Sequence, residues 1–304
     1  MPFSDTIQYL SNKEINKQLW DECIDSAGNG LIYAYSFYLD ALADNWDALV
    51  LNNYEAVMPL PWKKKYGVHY LYQPFLTAQL GLFGNKITAQ LLESFLKKIS
   101  SRFRLWEFSL NHQNLFSIGG FNMYERMNYV LDLKPSYENL YSNFRNNIKR
   151  NIKKSIQYGC YAKNGVALND IMVLAQEQSK NSAGKEFEKF RNLYEMLKGK
   201  NAAKTYGVYS AKNELLTSCV FTFSHNRAYY ILVGNHPNGR TLGASHALID
   251  TFIKDHAGQN LLLDFEGSDI RNLAFFYSSF GAREEKYPAI KLNKLPWYIK
   301  WMKD

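Results

Sequence analysis

Long apolar runs are missing from this 304-residue chain, and no stretch approaches the roughly 18 consecutive apolar residues that a membrane-spanning helix needs. The opening stretch, MPFSDTIQYLSNKE, also lacks the basic-then-apolar order of an export signal, so the expectation is a cytoplasmic protein. Cysteine is scarce: Cys23, Cys160 and Cys219 are far apart and without CxxC spacing, which argues against a disulfide scaffold and for reduced thiols. The histidines, at 69, 112, 225, 236, 246 and 256, form neither HxH nor HExxH, and no structural metal is expected. Acidic charge is in deficit, with 28 Asp+Glu against 36 Lys+Arg and a formal net charge of +8. Such a surplus favours an anionic partner (a nucleotide, a phospholipid headgroup or tRNA) without choosing among them.

What is abundant is aromatic and apolar residue. Hydrophobic content of 46% with 22 Tyr and 19 Phe is ample for one large or two medium α/β domains. Periodicity predicts short helices over 15–23 and 35–43, the first with Ile15, Leu19 and Cys23 as its stripe. It predicts strands over Trp46–Leu51 and 56–60 around an Asn52-Asn53 turn, a strand over 69–72, an amphipathic helix over 88–99, and strands over 105–110 and 129–133. The second half repeats the order at an offset of about 160 residues. Strands over 205–211, Leu215–Ser224 and 228–233 precede a helix over 243–256 striped by Ala244, Leu248 and Phe252. LWEFSLN at 105 then aligns with LLDFEGS at 262, and FNMYERMNYVLDL at 121 with FGAREEKYPAIKL at 280. The simplest account is a tandem duplication, with one domain over 1–140 and a second over 141–304; between the repeats fall further helices over 171–179 and 187–197.

Two stretches carry candidate chemistry. In NLLLDFEGSDIRNLAFFYSSFG, a buried strand over 261–265 releases Asp264 and Glu266 at its carboxyl end, the edge at which open α/β sheets hold ligands. Either carboxylate could instead cap the following helix. In the linker helix over 144–157, Arg145, Lys149, Arg150, Lys153 and Lys154 stand with no acid among them. Ile148, Ile152 and Ile156 are expected to anchor the other face. This basic helix is either a solvated face or a phosphate clamp.

RNNIKRNIKKS together with LLLDFEGSDIRNLAFFYSSFGA, set in a duplicated unit, resembles the Fem-like family of tandem GNAT-fold acyl and aminoacyl transferases. The resemblance implies two GNAT-like α/β domains with mixed central sheets flanked by helices. It implies transfer of an activated acyl group from aminoacyl-tRNA, or from acyl-CoA as co-substrate rather than a tightly bound cofactor, to an amine. The acceptor implied is a cell-envelope compound such as a peptidoglycan precursor, and the basic charge leaves room for peripheral contact with an anionic membrane. No heptad stretch marks the long helical arm of some family members. The acyl-CoA signature is met in part: Arg240-Thr-Leu-Gly243-Ala-Ser245 keeps the Arg and first Gly but ends on Ser. The first half has nothing comparable between Tyr72 and Thr88. On this resemblance the strands over 228–233 and 261–265 splay and expose backbone donors to the acyl carbonyl. Gly234, Asn235, Asp264 and Glu266 then surround the reaction centre. Glu266 is the preferred general base or amine-positioning group, since alternation places it on the face of Asp264. Tyr277 would protonate the leaving group, and Asn235, Arg240, Gly243 and Ser245 would hold the donor. The competing readings are a CoA-dependent N-acetyltransferase acting on a nucleotide-sugar or lipid amine, and a non-catalytic module that binds tRNA or anionic lipid.

Overall fold

A computed structural model describes residues 6–178, 184–267 and 269–295. In chain order it holds β1 (Ile7–Leu10), α1 (Lys17–Ser26), α2 (Ser36–Leu42), β2 (Trp46–Leu51), β3 (Ala56–Lys65), β4 (Val68–Tyr72), β5 (Phe83–Gly84), α3 (Ala89–Lys98), β6 (Phe103–Ser109) and β7 (Met123–Asp132). There follow α4 (Tyr137–Ser142), α5 (Asn146–Gln157), β8 (Tyr161–Asn164), α6 (Leu168–Gln178), α7 (Gly184–Gly199), β9 (Ala203–Tyr209), β10 (Leu215–Ser224) and β11 (Arg227–Asn235). The chain ends with α8 (Pro237–Leu242), α9 (Ala244–His256), β12 (Leu262–Asp264), α10 (Arg271–Ser278) and β13 (Arg283–Asn293). Ser179, the expected end of the helix that is α6, lies outside the described residues.

The chain divides into two compact units. Unit 1 takes the residues through Arg126 and those from Lys286 onward; unit 2 is Met127–Glu285. The expected division between 140 and 141 is therefore replaced by two crossings, because the last strand of each half closes the other half's unit. In unit 1, β2–β3 and β3–β4 are antiparallel, β4–β6 is parallel, and β13 pairs antiparallel with β6. In unit 2, β9–β10 and β10–β11 are antiparallel, β11–β12 is parallel, and β7 pairs antiparallel with β12. The two units thus share one pairing order. The segments at 121 and 280 that align in sequence are β7 and β13, the two exchanged strands.

Local chemistry explains the elements. In α3 the Thr88 side chain accepts from the Leu91 amide, Leu92, Phe95 and Leu96 are buried, and Lys97 and Lys98 lie in the last turn, where the helix dipole favours cations. Unit 1 packs these against Phe103, Trp106 and Phe108. In unit 2, Leu248, Ile249, Phe252 and Ile253 of α9 are buried in the same core as Phe221 and Leu263. Two expected stripes shift. Asn16 caps α1 through its side chain, so Ile15 falls outside the helix and the buried residues are Trp20, Cys23 and Ile24. In α5 the buried stripe is Ile148, Ile152 and Ser155, and Ile156 is 67% exposed. At about 100° per residue, a position seven along returns to the face within about 20°, whereas one eight along is rotated by about 80°.

Candidate functional site

The parallel ladder of β11 and β12 has three pairs and ends at Tyr229↔Asp264. Beyond it β11 runs on to Asn235 while β12 stops, so the pairing between the two strands ends there. β11 is also bulged: Cys219 faces Val233 and Val220 faces Ile231, which leaves Leu232 unpaired in β10's register, with φ +46°. A bulge bends its strand and re-aims the side chains beside it. A cavity of about 710 Å³ opens beside this stretch of β11. Its wall is formed by Tyr230, Val233 and Asn235 of β11, Ala175 and Gln178 of α6, and Gly239 and Arg240 of α8. Ser245 and His246 of α9 and Asn272, Leu273, Phe276 and Tyr277 of α10 complete it.

Of the residues chosen from sequence, Asn235, Arg240, Ser245 and Tyr277 meet in this wall. Asn235 organises one side: its Oδ1 accepts from Thr217 Oγ1 and Ser245 Oγ, both at 2.8 Å, and its amide donates to Gln178 Oε1 at 3.1 Å. Gly234 is buried against α6, where a Cβ would lie 2.8 Å from the Ala175 nitrogen. Tyr277 stacks on Phe265 with ring centroids 4.6 Å apart. Burial, and then the charge of Glu266, push its hydroxyl up to about 12, so it is a proton donor at neutral pH.

Glu266 and Asp264 do not share a face. β12 ends at Asp264, and Glu266 has φ +61°, which breaks the extended alternation. Asp264 is buried at 1% exposure and pairs with Arg227 Nη1 at 2.6 Å. Its other oxygen accepts from Asn128 Nδ2 at 2.9 Å and from the Glu266 amide at 2.7 Å. Arg227 in turn forks onto Glu285, at 2.9 and 3.1 Å. Burial works against the guanidinium's charge, but the two carboxylates outweigh it and raise its pKa. Asp264 is therefore an anchor for the loop that carries Glu266, outside the cavity wall.

Gly243 also has a structural task. At φ +73° it ends α8 and begins α9, and its amide donates back to the carbonyls of Gly239 and Arg240. An added Cβ would meet the Asn151 carbonyl oxygen of α5 at 2.5 Å. Its amide is spent in the cap. On the basic helix, Arg145 is the cap residue and lies over the Phe275 ring at 5.0 Å. Lys149 donates to the Ser142 carbonyl at 2.8 Å, while Arg150 and Lys153 are exposed.

Sequence reasoning missed His246. It stands edge-on to Phe276 at 4.9 Å, burial lowers its pKa to about 4, and its Nδ1 is buried with no hydrogen-bond partner among the described residues. A lone histidine on a helix carries little sequence signal; its place three residues after Gly243 was the only hint. Arg227, Glu285 and Asn128 were missed too, being spread over 158 positions and joined only by folding. Unit 1 keeps a smaller cavity of about 310 Å³ at the corresponding edge of β4 and β6, lined in part by Tyr70, Tyr72, Glu107, Ser109, Tyr124 and Arg126.

Two units of one pairing order, with β11 bulged where it outruns its parallel neighbour beside a cavity, make a mixed α/β fold of the kind seen in FemX. Among solved structures, FemX superposes with a TM-score of 0.67 at 14% identity, over 96% of this chain and 98% of that one. A conserved protein of unknown function from Bacteroides thetaiotaomicron gives 0.59 at 11% identity, over 94% and 99%. L-PGS from Bacillus licheniformis gives 0.57 at 9% identity, over 95% of both chains. No protein-family model and no curated protein sequence matches the chain, so the likeness is one of fold.

Proposed function

We propose that this chain is an N-acyl or aminoacyl transferase that moves an activated acyl group onto an amine. The observation that carries the reading is the end of the pairing between β11 and β12 beside the Leu232 bulge, where the cavity opens against Tyr277. In the reaction the amine nitrogen attacks the acyl carbonyl, the bond to the donor's oxygen or sulfur breaks, the amine loses a proton and the leaving atom gains one. Backbone amides of β11 past Tyr229 are the oxyanion donors in this reading. Tyr277, held protonated, supplies the leaving group's proton. Glu266, whose charge is felt at Tyr277, holds the incoming ammonium and takes its proton; neutral His246 accepts a hydrogen bond from the amine.

Of the two donors, the acyl ester of tRNA is favoured over acyl-CoA. A CoA pyrophosphate draws on the amides at the α8–α9 joint, and there Gly243 N–H is already bonded back to the carbonyls of Gly239 and Arg240. Arg240 and Ser245 remain to meet the donor's phosphate and ribose. The acceptor we favour is an amine of a cell-envelope precursor, of the peptidoglycan kind that the Fem resemblance implies. The test is turnover of aminoacyl-tRNA with a UDP-linked muramyl peptide, run beside acetyl-CoA with the same acceptor. Product from the first pair supports the reading; product from acetyl-CoA alone replaces it with the CoA-dependent one, and no product or thermal shift with either removes catalysis.

A further inference from the structure

The outer face of α5 and α10 combines two features that the cavity does not use. Arg145, Lys149, Arg150, Lys153, Lys154 and Arg271 all belong to these helices or to the cap of α5, and the helices carry no acid. Beside the cations stand large apolar side chains in water: Ile156 is 67% exposed and Phe275 54% exposed. The two helices adjoin, because the Arg145 amide donates to the Ser279 carbonyl at 2.9 Å and the Arg145 guanidinium covers the Phe275 ring. Around α5, Ile156 falls between the buried stripe and Lys153, about 60° from it, and about 20° from Lys149. Ile156 therefore borders Lys149 and Lys153 on one flank, and α5 is about 18 Å long, enough to cross several lipid headgroups. On α10, Leu273 is 40% exposed and lines the cavity on the other side of the helix.

We infer that this face docks the protein on a membrane surface rich in anionic phospholipid. The cations meet the headgroup phosphates, and Ile156 and Phe275 enter the boundary between headgroups and acyl chains. Charge complementarity selects an anionic partner. The aliphatic Ile156 selects lipid over nucleic acid, since a phosphodiester backbone satisfies Lys153 and Arg150 but leaves Ile156 in water. Docking of this kind needs no catalysis and stands apart from the acyl-transfer reading.

The test is co-sedimentation of the full chain with vesicles of phosphatidylglycerol and phosphatidylcholine in equal parts, against vesicles of phosphatidylcholine alone. Strong binding to the first only is expected, weakening as salt is raised past the point where the Debye length falls to about 8 Å. Each neutralised cation should cost about fivefold, so Arg150→Gln with Lys153→Gln should lose on the order of 25-fold. Ile156→Ser and Phe275→Ser should each lose several-fold, and more visibly at high salt. All four side chains are exposed, and circular dichroism confirms the fold. Equal binding to both vesicle types, no binding to anionic vesicles, or binding that ignores Ile156 and Phe275 overturns the inference. So does a filter assay in which tRNA binds through Arg150 and Lys153 while anionic vesicles do not.

Discussion

Replacing Arg227 with methionine is the sharpest test of how the site is held. Arg227 is 7% exposed, and its guanidinium donates three hydrogen bonds to Asp264 and Glu285, at 2.6, 2.9 and 3.1 Å. Methionine fills much of the volume but leaves two buried carboxylates facing each other with Asn128 as shared donor. Breaking a buried ion pair from one side costs about 3–5 kcal/mol. With a urea slope near 2 kcal/mol per M, the midpoint should fall by roughly 1.5–2.5 M. Far-UV circular dichroism is the appropriate probe, because Trp20, Trp46, Trp62 and Trp106 all lie in unit 1 and report on the wrong unit. The triple change Arg227→Met, Asp264→Asn, Glu285→Gln removes the stranded charge and keeps an acceptor for the Glu266 amide, and it should recover most of the loss. A single variant that costs under about 1 kcal/mol, or a triple variant no more stable than the single, would refute the reasoning.

Gly243→Ala should destabilise by about 2–4 kcal/mol in urea titration, from the left-handed backbone and the contact with the Asn151 carbonyl together; a loss of donor affinity without loss of stability would return Gly243 to ligand binding. Glu266→Gln and Tyr277→Phe should each lower transfer tens-fold or more with unchanged circular dichroism, and wild-type turnover in either removes that residue's role. His246 ties stability to pH. Its pKa falls from about 6.5 in the unfolded chain to about 4 in the folded one, so its contribution is full above pH 6.5 and is lost as pH falls toward 4. His246→Asn should flatten the urea stability profile between pH 7 and 4.5 by on the order of 2–3 kcal/mol, and an unchanged profile would contradict the burial.

Much of the architecture is written in local pattern. The hairpin of β2 and β3, the amphipathic α3 and α9, the short strand that delivers Asp264 and the order of elements common to both halves follow from periods of 2 and 3.6 and from turn residues, which act within a few positions of one another. The family resemblance, not local pattern, pointed to Asn235, Arg240, Ser245 and Tyr277, and these line one cavity. What local pattern could not decide is partnership. β7 and β13 are alike in sequence, and nothing near either one says that each completes the other half's sheet; only the register with β12 and β6 does. Alternation placed Glu266 beside Asp264, but a positive φ turns it away, because Asp264 is needed for a guanidinium 37 residues earlier and for the Glu266 amide itself. His246 gained its lowered pKa, and Gly243 its crowded contact with Asn151, from helices brought together across the chain. Desolvation, long-range pairing and close helix approach are properties of the assembled core, and there the tertiary structure alone decided.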